Sequence, residues 1–335
     1  MNRILALIAA TLVGVSLPCL AQSEHAYKYF RAGSPADATT THPRAGYALM
    51  GGGTDLDEAF QWLCNRAGGG DFLILRATGD DDYNPYVQQL CPKLNSVATL
   101  ILPNRAAAED PFAASTIRAA EAIFIAGGDQ ANYINFWMKS PVQDALNDDI
   151  ARSIPLGGTS AGLAVMGEWA YSAQGDKPDD PNLSGKLALS DPLGSRITLT
   201  QNFLRIPILN GIITDTHFVR RDRMGRLLVF LARLNATPGT PVTRGIGIEE
   251  KAAVLLEPDG SASVIGRGGA YFIDTPKGTG IAMPYQPLTW QPYAVQKVPP
   301  GHTFNFKTWT GESTAYQLNV KNGQITSMQH GGVIY

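Results

Sequence analysis

Ile154-Pro155-Leu156-Gly157-Gly158-Thr159-Ser160-Ala161-Gly162 is the stretch on which the reading of this chain turns. A short apolar run enters a glycine step, and Gly158-x-Ser160-x-Gly162 follows. This is the pattern of a sharp strand-to-helix turn that projects a serine hydroxyl above a sheet. Glycine on either side lets the backbone turn without side-chain collision, and the N–H of Ala161, at the helix start, would face a developing oxyanion. The pentapeptide alone also fits a plain turn whose serine only caps a helix, so the surroundings must decide.

Upstream, apolar runs and helical stretches alternate. Gly46 to Met50 reads as a strand ending in Gly51-Gly52-Gly53, and Thr54 or Asp55 is expected to cap a helix with Leu56, Ala59, Phe60 and Leu63 on one face. Further strands are predicted at Phe72 to Arg76, Val97 to Leu102, Ala122 to Ala126 and Ile154 to Leu156. The intervening helices open at Asn84-Pro85, Pro111, Gln130 and Val142. Downstream, Tyr171 to Arg196 is an irregular, Asp- and Pro-rich insertion. The pattern then resumes with a strand at Gly211 to Thr214, a helix at Met224 to Leu234, and strands at Arg244 to Ile248 and Ala252 to Leu256. Together these predict an α/β fold: a mostly parallel sheet with helices on both faces, plus a β-rich C-terminal segment. In such sheets the functional crevice lies beyond the carboxyl ends of the strands, where the glycine clusters and Ser160 fall.

The organisation expected is a signal peptide over 1–21, a leader segment over 22–44, an α/β catalytic domain over 45–260 and the β-rich segment over 261–335. Arg3, the apolar Ile4 to Leu17 and the small residues before Gln22 read as a secretory signal cleaved near Ala21, too short to span a bilayer. A secreted or periplasmic protein, free of the membrane after cleavage, is expected. Of three cysteines in the sequence, Cys19 falls in this segment, leaving Cys64 and Cys91 to pair as a disulfide in an oxidising compartment.

The chain has 335 residues, 27 Lys+Arg against 29 Asp+Glu, 44% hydrophobic and 17% charged residues. That balance is globular and, lacking a basic block, argues against nucleic-acid binding. No His/Cys/carboxylate cluster has metal-ligand spacing, so no metal or cofactor is expected. The sequence leaves oligomeric state open, a homodimer included.

A serine nucleophile needs a base. Of five histidines, only His217, in Asp215-Thr216-His217-Phe218, lies in the α/β part, directly after a strand. Glu249-Glu250 follow the strand Gly245 to Ile248; adjacent extended residues point opposite ways, so one of the two can orient the base. The order Ser…His…Glu differs from that of α/β-hydrolases.

Gly127-Gly128-Asp129-Gln130, Gly158-Thr159-Ser160-Ala161-Gly162, Asp215-Thr216-His217-Phe218 with Arg221, Arg223 and Arg226, and Gly245-Ile246-Gly247-Ile248-Glu249-Glu250 together resemble cyanophycinase. This family of serine peptidases is related to aspartyl dipeptidases and has a class I glutamine amidotransferase-like fold. The resemblance spans roughly Tyr47 to Glu257. It implies hydrolysis of cyanophycin, a poly-aspartate bearing arginine on each β-carboxyl, to β-Asp-Arg dipeptides. It assigns Ser160 as nucleophile, His217 as general base and Glu250 as its orienter, with the backbone of Gly128 joining Ala161 in an oxyanion hole. Gln130, Asp215, Thr216, Arg221, Arg223 and Arg226 match substrate-contacting positions. Thr216 stands where the family typically carries Gln, and Glu249 where it carries Asp. Asp215 and the acidic Asp80-Asp81-Asp82 are candidates to receive a substrate guanidinium, although the latter reads first as a solvated turn. Other readings of the same residues are a dipeptidase acting on other aspartyl or isoaspartyl peptides, and a catalytically silent binding protein on the same scaffold.

Overall fold

The computed structural model describes residues 25–39, 41–237, 244–275 and 278–335. The expected signal peptide, with Cys19, lies outside the described residues. Along the chain the strands are β1 (Lys28–Gly33), β2 (Tyr47–Met50), β3 (Asp71–Arg76), β4 (Ser96–Ile101), β5 (Ala122–Ile125), β6 (Leu156–Thr159), β7 (Trp169–Tyr171), β8 (Leu199–Gln201), β9 (Ile212–Asp215), β10 (Arg244–Ile248) and β11 (Ala252–Leu256). The C-terminal segment adds β12 (Ser261–Gly266), β13 (Ala270–Asp274), β14 (Thr279–Ile281), β15 (Thr289–Val298), β16 (Thr303–Asn305), β17 (Thr310–Gly311), β18 (Thr314–Lys321) and β19 (Gln324–Ser327). Helices are α1 (Asp57–Arg66), α2 (Tyr83–Leu90), α3 (Arg105–Glu109), α4 (Pro111–Arg118), α5 (Gln130–Trp137), α6 (Pro141–Ala151), α7 (Ala161–Ala164), α8 (Gly185–Ser190) and α9 (Met224–Ala236).

The parallel run β4-β3-β5-β6-β2 is the centre of the first sheet, ordered β1-β4-β3-β5-β6-β2-β11-β12-β16-β17. Alternate side chains of its strands go to opposite faces, as a pleat requires. Phe72 and Ile74 join Phe60, Leu63 and Val87 of α1 and α2, whereas Leu73 and Leu75 join Ile117 of α4 and Leu146 of α6. The chain therefore covers both faces, as the near-continuous apolar strands anticipate.

A second sheet, ordered β19-β18-β15-β13-β10-β9-β7-β8, was not legible in the sequence. Its β9 runs parallel to β10 and β7, so the loops after β9 and β10 leave from the same end. Ile246 and Ile248 of β10 join the core shared with the first sheet, and α9, buried on nearly every side, packs on the opposite face with Ile273 and Tyr293. The C-terminal β-rich segment is not set apart: β12 pairs with β11 in one sheet, and β13 with β10 in the other.

Several local expectations need correction. Part of the leader is strand β1, an edge partner antiparallel to β4; its half-exposed residues carry no clean apolar period. Neither Thr54 nor Asp55 caps α1, which starts at Asp57 after Leu56 with Asp57 and Glu58 in its first turn; Asp55 instead accepts from the Tyr83 hydroxyl. The strand expected at Ile154 to Leu156 begins at Leu156 and runs on through both glycines to Thr159. The insertion holds β7 and α8 at its two ends, the latter capped by Ser184. Elsewhere the capping chemistry works as expected from residue type: Asp110, before Pro111, accepts from Phe112 N–H at 2.9 Å.

Cys64 of α1 and Cys91, just past α2, are joined by a disulfide that closes a loop of 27 residues, Cα to Cα 6.2 Å. Loop-closure entropy puts its contribution at about 3.5 kcal/mol. Unfolding in denaturant should accordingly move to lower concentration when a reductant is present. A Cys64→Ser, Cys91→Ser double variant should show the lower midpoint in both conditions; equal midpoints for the native chain with and without reductant would contradict the pairing.

Candidate active site

Ser160 sits between β6 and α7 with φ 51° and ψ −115°, a conformation L-residues avoid. Two glycines make room for it. A Cβ on Gly162 would lie 2.0 Å from the Ile125 carbonyl oxygen, and one on Gly158 would lie 2.7 Å from the carbonyl carbon of Gly162. No other residue fits either place, which is the physical content of the Gly-x-Ser-x-Gly pattern here. The serine hydroxyl makes no capping bond to α7; it lies 2.7 Å from Nε2 of His217.

His217 follows β9 with φ 48°. Its N–H donates to the Gly51 carbonyl at 2.7 Å, and Lys251 N–H donates to the Gly52 carbonyl at 2.9 Å. The glycine turn after β2 thus ties together the loops after β9 and β10. It also leaves space for the imidazole, because a Cβ on Gly52 would come within 2.6 Å of the ring. Glu250 Oε1 lies 2.6 Å from His217 Nδ1. Glu249 faces the other way and accepts from the Tyr271 hydroxyl at 3.0 Å. The structure therefore brings Ser160, His217 and Glu250 into one hydrogen-bonded line and leaves Glu249 outside it.

The electrostatics favour a neutral His217 imidazole. Burial lowers the His217 pKa, the Glu250 hydrogen bond opposes that fall, and the charges of Arg221 and Arg223 add to it; the net direction is down. Glu250 is held below the usual carboxylate range, first by its bond to His217, with Arg221 and Arg220 contributing.

Beside the serine opens a cavity of about 520 Å³, lined by residues that include Gly128, Gln130, Thr216, Arg221, Arg223 and Arg226. Ala161 is buried next to Ser160, and Gly128 lines the same cavity on a turn pinned by the Tyr133 hydroxyl, which donates to the Ala126 carbonyl at 2.8 Å. Asp215 does not line the cavity. It is buried beneath it, where Arg226 Nε donates to Oδ2 at 2.7 Å and a second guanidinium nitrogen reaches Oδ1, with Arg223 at 3.5 Å. Its charge is taken by the protein's own arginines, which corrects the expectation that it receives a substrate guanidinium. Asp80 to Asp82 lie away from this cavity. Arg76 Nη1 donates to the Asp80 carbonyl at 2.8 Å, so the segment is a turn organised by Arg76.

The arginines are not a uniformly exposed helix start. Arg221 is exposed, but Arg223 and Arg226 are 6% and 2% exposed. Arg223 donates to the Thr216 carbonyl at 2.9 Å and to its hydroxyl at 3.0 Å. Asn182 Oδ1 accepts from both Arg221 and Arg223 at 3.1 Å. Asn182, Asp176 and Gln174 reach the cavity from the insertion, and Asp129 from the turn after β5; sequence reasoning assigned a role to none of them. The insertion has no periodicity to mark it as a wall. Its acidic run gave the one usable signal, since Arg196 binds Asp176 at 2.9 Å and also Asp180, which fixes the segment over the site.

The model for peptidase family S51 matches residues 49–194. The cyanophycinase of Synechococcus elongatus is 31% identical over 252 residues, covering 70% of this chain and 71% of that protein. The chain belongs to peptidase family S51. The cyanophycinase of Geminocystis herdmanii is 28% identical over 254 residues, covering 72% of this chain and 83% of its own. A solved structure described as a peptidase from an acI-B1 Actinobacterium shares the fold, with TM-score 0.51, 16% identity and coverage of 79% and 98%. As an S51 member the protein is a serine-type peptidase, a hydrolase.

The lowered His217 pKa gives this S51 peptidase a testable acid limb. Only a neutral imidazole can accept the proton of the hydroxyl beside it, and burial with the two arginines disfavours the imidazolium. The rate at which a serine-directed phosphonylating reagent modifies the protein should reach half its plateau below pH 6.5, the ordinary histidine value. A midpoint at or above that pH would contradict the electrostatic account.

Proposed function

We propose that the protein hydrolyses cyanophycin to β-Asp-Arg dipeptides, with Ser160 as nucleophile, His217 as general base and Glu250 as its orienting carboxylate. The observation that carries the reading is the contact of 2.7 Å between Ser160 Oγ and His217 Nε2 at the mouth of an arginine-walled cavity. Ser160 Oγ adds to a main-chain carbonyl carbon as His217 Nε2 takes the hydroxyl proton. The oxyanion is received by the backbone N–H groups of Gly128 and Ala161. On collapse the C–N bond breaks, and the imidazolium returns its proton to the leaving amine. A water molecule then attacks the acyl-serine with His217 again as base, which frees the product and restores the hydroxyl. Through both steps Glu250 accepts from Nδ1–H and stabilises the imidazolium.

The cavity's charge supports this substrate. Burial and Arg226 both oppose the charge on Arg223, and Asp215 is shared between them, so a bound anion would relieve the excess. Each β-Asp-Arg unit of the polymer carries one free carboxylate, that of its arginine, which the planar fork of Arg221 or Arg223 matches. Gln130, within 3.5 Å of the Tyr171 carbonyl, and Thr216 border the same space. Asp129 also borders the cavity and is the anion left for the substrate guanidinium, since Asp215 is paired with Arg226 and Asp176 with Arg196. The curated relatives named above are both cyanophycinases.

We also propose that the protein acts outside the cytoplasm, in the periplasm or beyond. The basic start and apolar run within residues 1–21 support this, as does a disulfide, which persists in oxidising compartments.

Purified protein incubated with cyanophycin should release β-Asp-Arg, identified by mass spectrometry. Ser160→Ala should lower the rate by on the order of 10⁶-fold with the melting temperature retained. Release by the variant at the native rate would refute the role of Ser160; no release by the native enzyme, with other aspartyl dipeptides cleaved, would refute the substrate.

A further inference from the structure

The loop from Thr216 to Arg223 carries His217 and two cavity arginines; its start is tied to the Gly51 and Ile248 carbonyls, but its junction with α9 has no cap of its own. His217 and Asp222 both have positive φ, 48° and 47°. Arg223, the residue before α9, makes no side-chain capping bond, as a guanidinium has no acceptor to offer. The first N–H groups of α9 therefore need an oxygen from elsewhere.

That oxygen comes from Tyr335. Its hydroxyl accepts from Met224 N–H at 2.9 Å and donates to Asp222 Oδ1 at 2.8 Å, using both of its hydrogen-bonding capacities on either side of Arg223. The ring stands edge-on to Phe218 and to Tyr271, each at 5.9 Å between centroids. Phe218 directly follows His217, and Tyr271 holds Glu249, the neighbour of Glu250. The segment bearing Tyr335 is itself anchored, since the Tyr316 hydroxyl donates to the Ile334 carbonyl at 2.8 Å. Tyr335 does not line the cavity.

We propose that Tyr335 is a positioning residue for the hydrolytic reaction: its hydroxyl locks the Thr216–Arg223 loop and thereby sets the His217 ring against Ser160 and the arginines in the cavity. This rests on the function proposed above and adds to it a role for the β-rich C-terminal segment. That segment reaches the loop through Tyr335, 113 residues along the chain from Asp222. With the hydroxyl gone, the junction of the loop with α9 loses both side-chain hydrogen bonds and keeps only its backbone bonds and ring packing, so reacting geometry and carboxylate binding loosen.

The test uses the full chain with Tyr335→Phe, which keeps the ring, and Tyr335→Ala, which removes it. Two readouts separate this proposal from the assignment of substrate. The first is the rate of Ser160 phosphonylation by a small fluorophosphonate, which needs the Ser160–His217 contact but no cyanophycin. The second is kcat and KM for cyanophycin. Tyr335→Phe should lower the phosphonylation rate about tenfold, short of the roughly 10²-fold that a displacement of 1 Å can cost. It should also raise KM, with a melting temperature close to native. Its acid limb should move up towards the ordinary histidine value as Arg221 and Arg223, whose charges lower the His217 pKa, lose their fixed places around the ring, a change that a purely stabilising role would not produce. Tyr335→Ala should lose more on each count. Native phosphonylation rate, acid limb and KM in Tyr335→Phe would overturn the proposal. If the native chain is phosphonylated at Ser160 and Tyr335→Phe is slowed while cyanophycin remains uncleaved by both, the positioning role stands and the substrate falls.

Discussion

The imidazole of His217 is where the two sheets are obliged to meet. Ser160 belongs to the first sheet, through β6; His217 and Glu250 leave the second, after β9 and β10. A proton can pass only if these three loops close to hydrogen-bond distance without side chains in between. The glycine turn after β2 provides that closure. Its carbonyls receive N–H groups from the His217 and Glu250 loops, and at Gly52 it leaves empty the volume the ring occupies. The parallel strands matter because they put every one of these loops at the same end.

Some of the chain's backbone strain falls at the same place. Ser160, His217, Asp222 and Lys251 all hold positive φ, although none is glycine. Each such residue costs of order 1–3 kcal/mol, and persists only where the surroundings over-determine it. Here the over-determination is visible: Gly158 and Gly162 pack backbone to backbone around Ser160, Gly51 and Ile248 hold the His217-Phe218 backbone, and Tyr335 grips Asp222. Rigid sheets on both sides let the loops keep these conformations, and the serine and imidazole are thereby set before substrate arrives.

What the sequence made legible was what local pattern encodes. The central strands, their helices and the turn around Ser160 follow from apolar runs and glycine placement, and the uniqueness of His217 in the α/β part drew attention to it. Residues 249 and 250 were distinguishable only to the extent that one of them must turn away; the structure turns Glu249 to Tyr271. Hidden from local pattern were facts of tertiary pairing. β1 is a half-exposed edge strand, the second sheet assembles from strands scattered across the chain, and the tail divides between both sheets. Asp215 read as a ligand because its neighbours did, whereas its partner Arg226 lies eleven residues on and buried with it. Asn182 and Tyr335 sit in segments without periodicity, and only folding brings them to the arginine loop.

The bond between His217 Nδ1 and Glu250 is the most direct test of the whole arrangement, because it exists only if the loops of β9 and β10 close around the glycine turn. Proton NMR of the native protein should show an imidazole N–H resonance well downfield of the amide region. That resonance should vanish in Glu250→Gln and persist in Glu249→Gln. Its persistence in Glu250→Gln, or its loss in Glu249→Gln alone, would contradict the account.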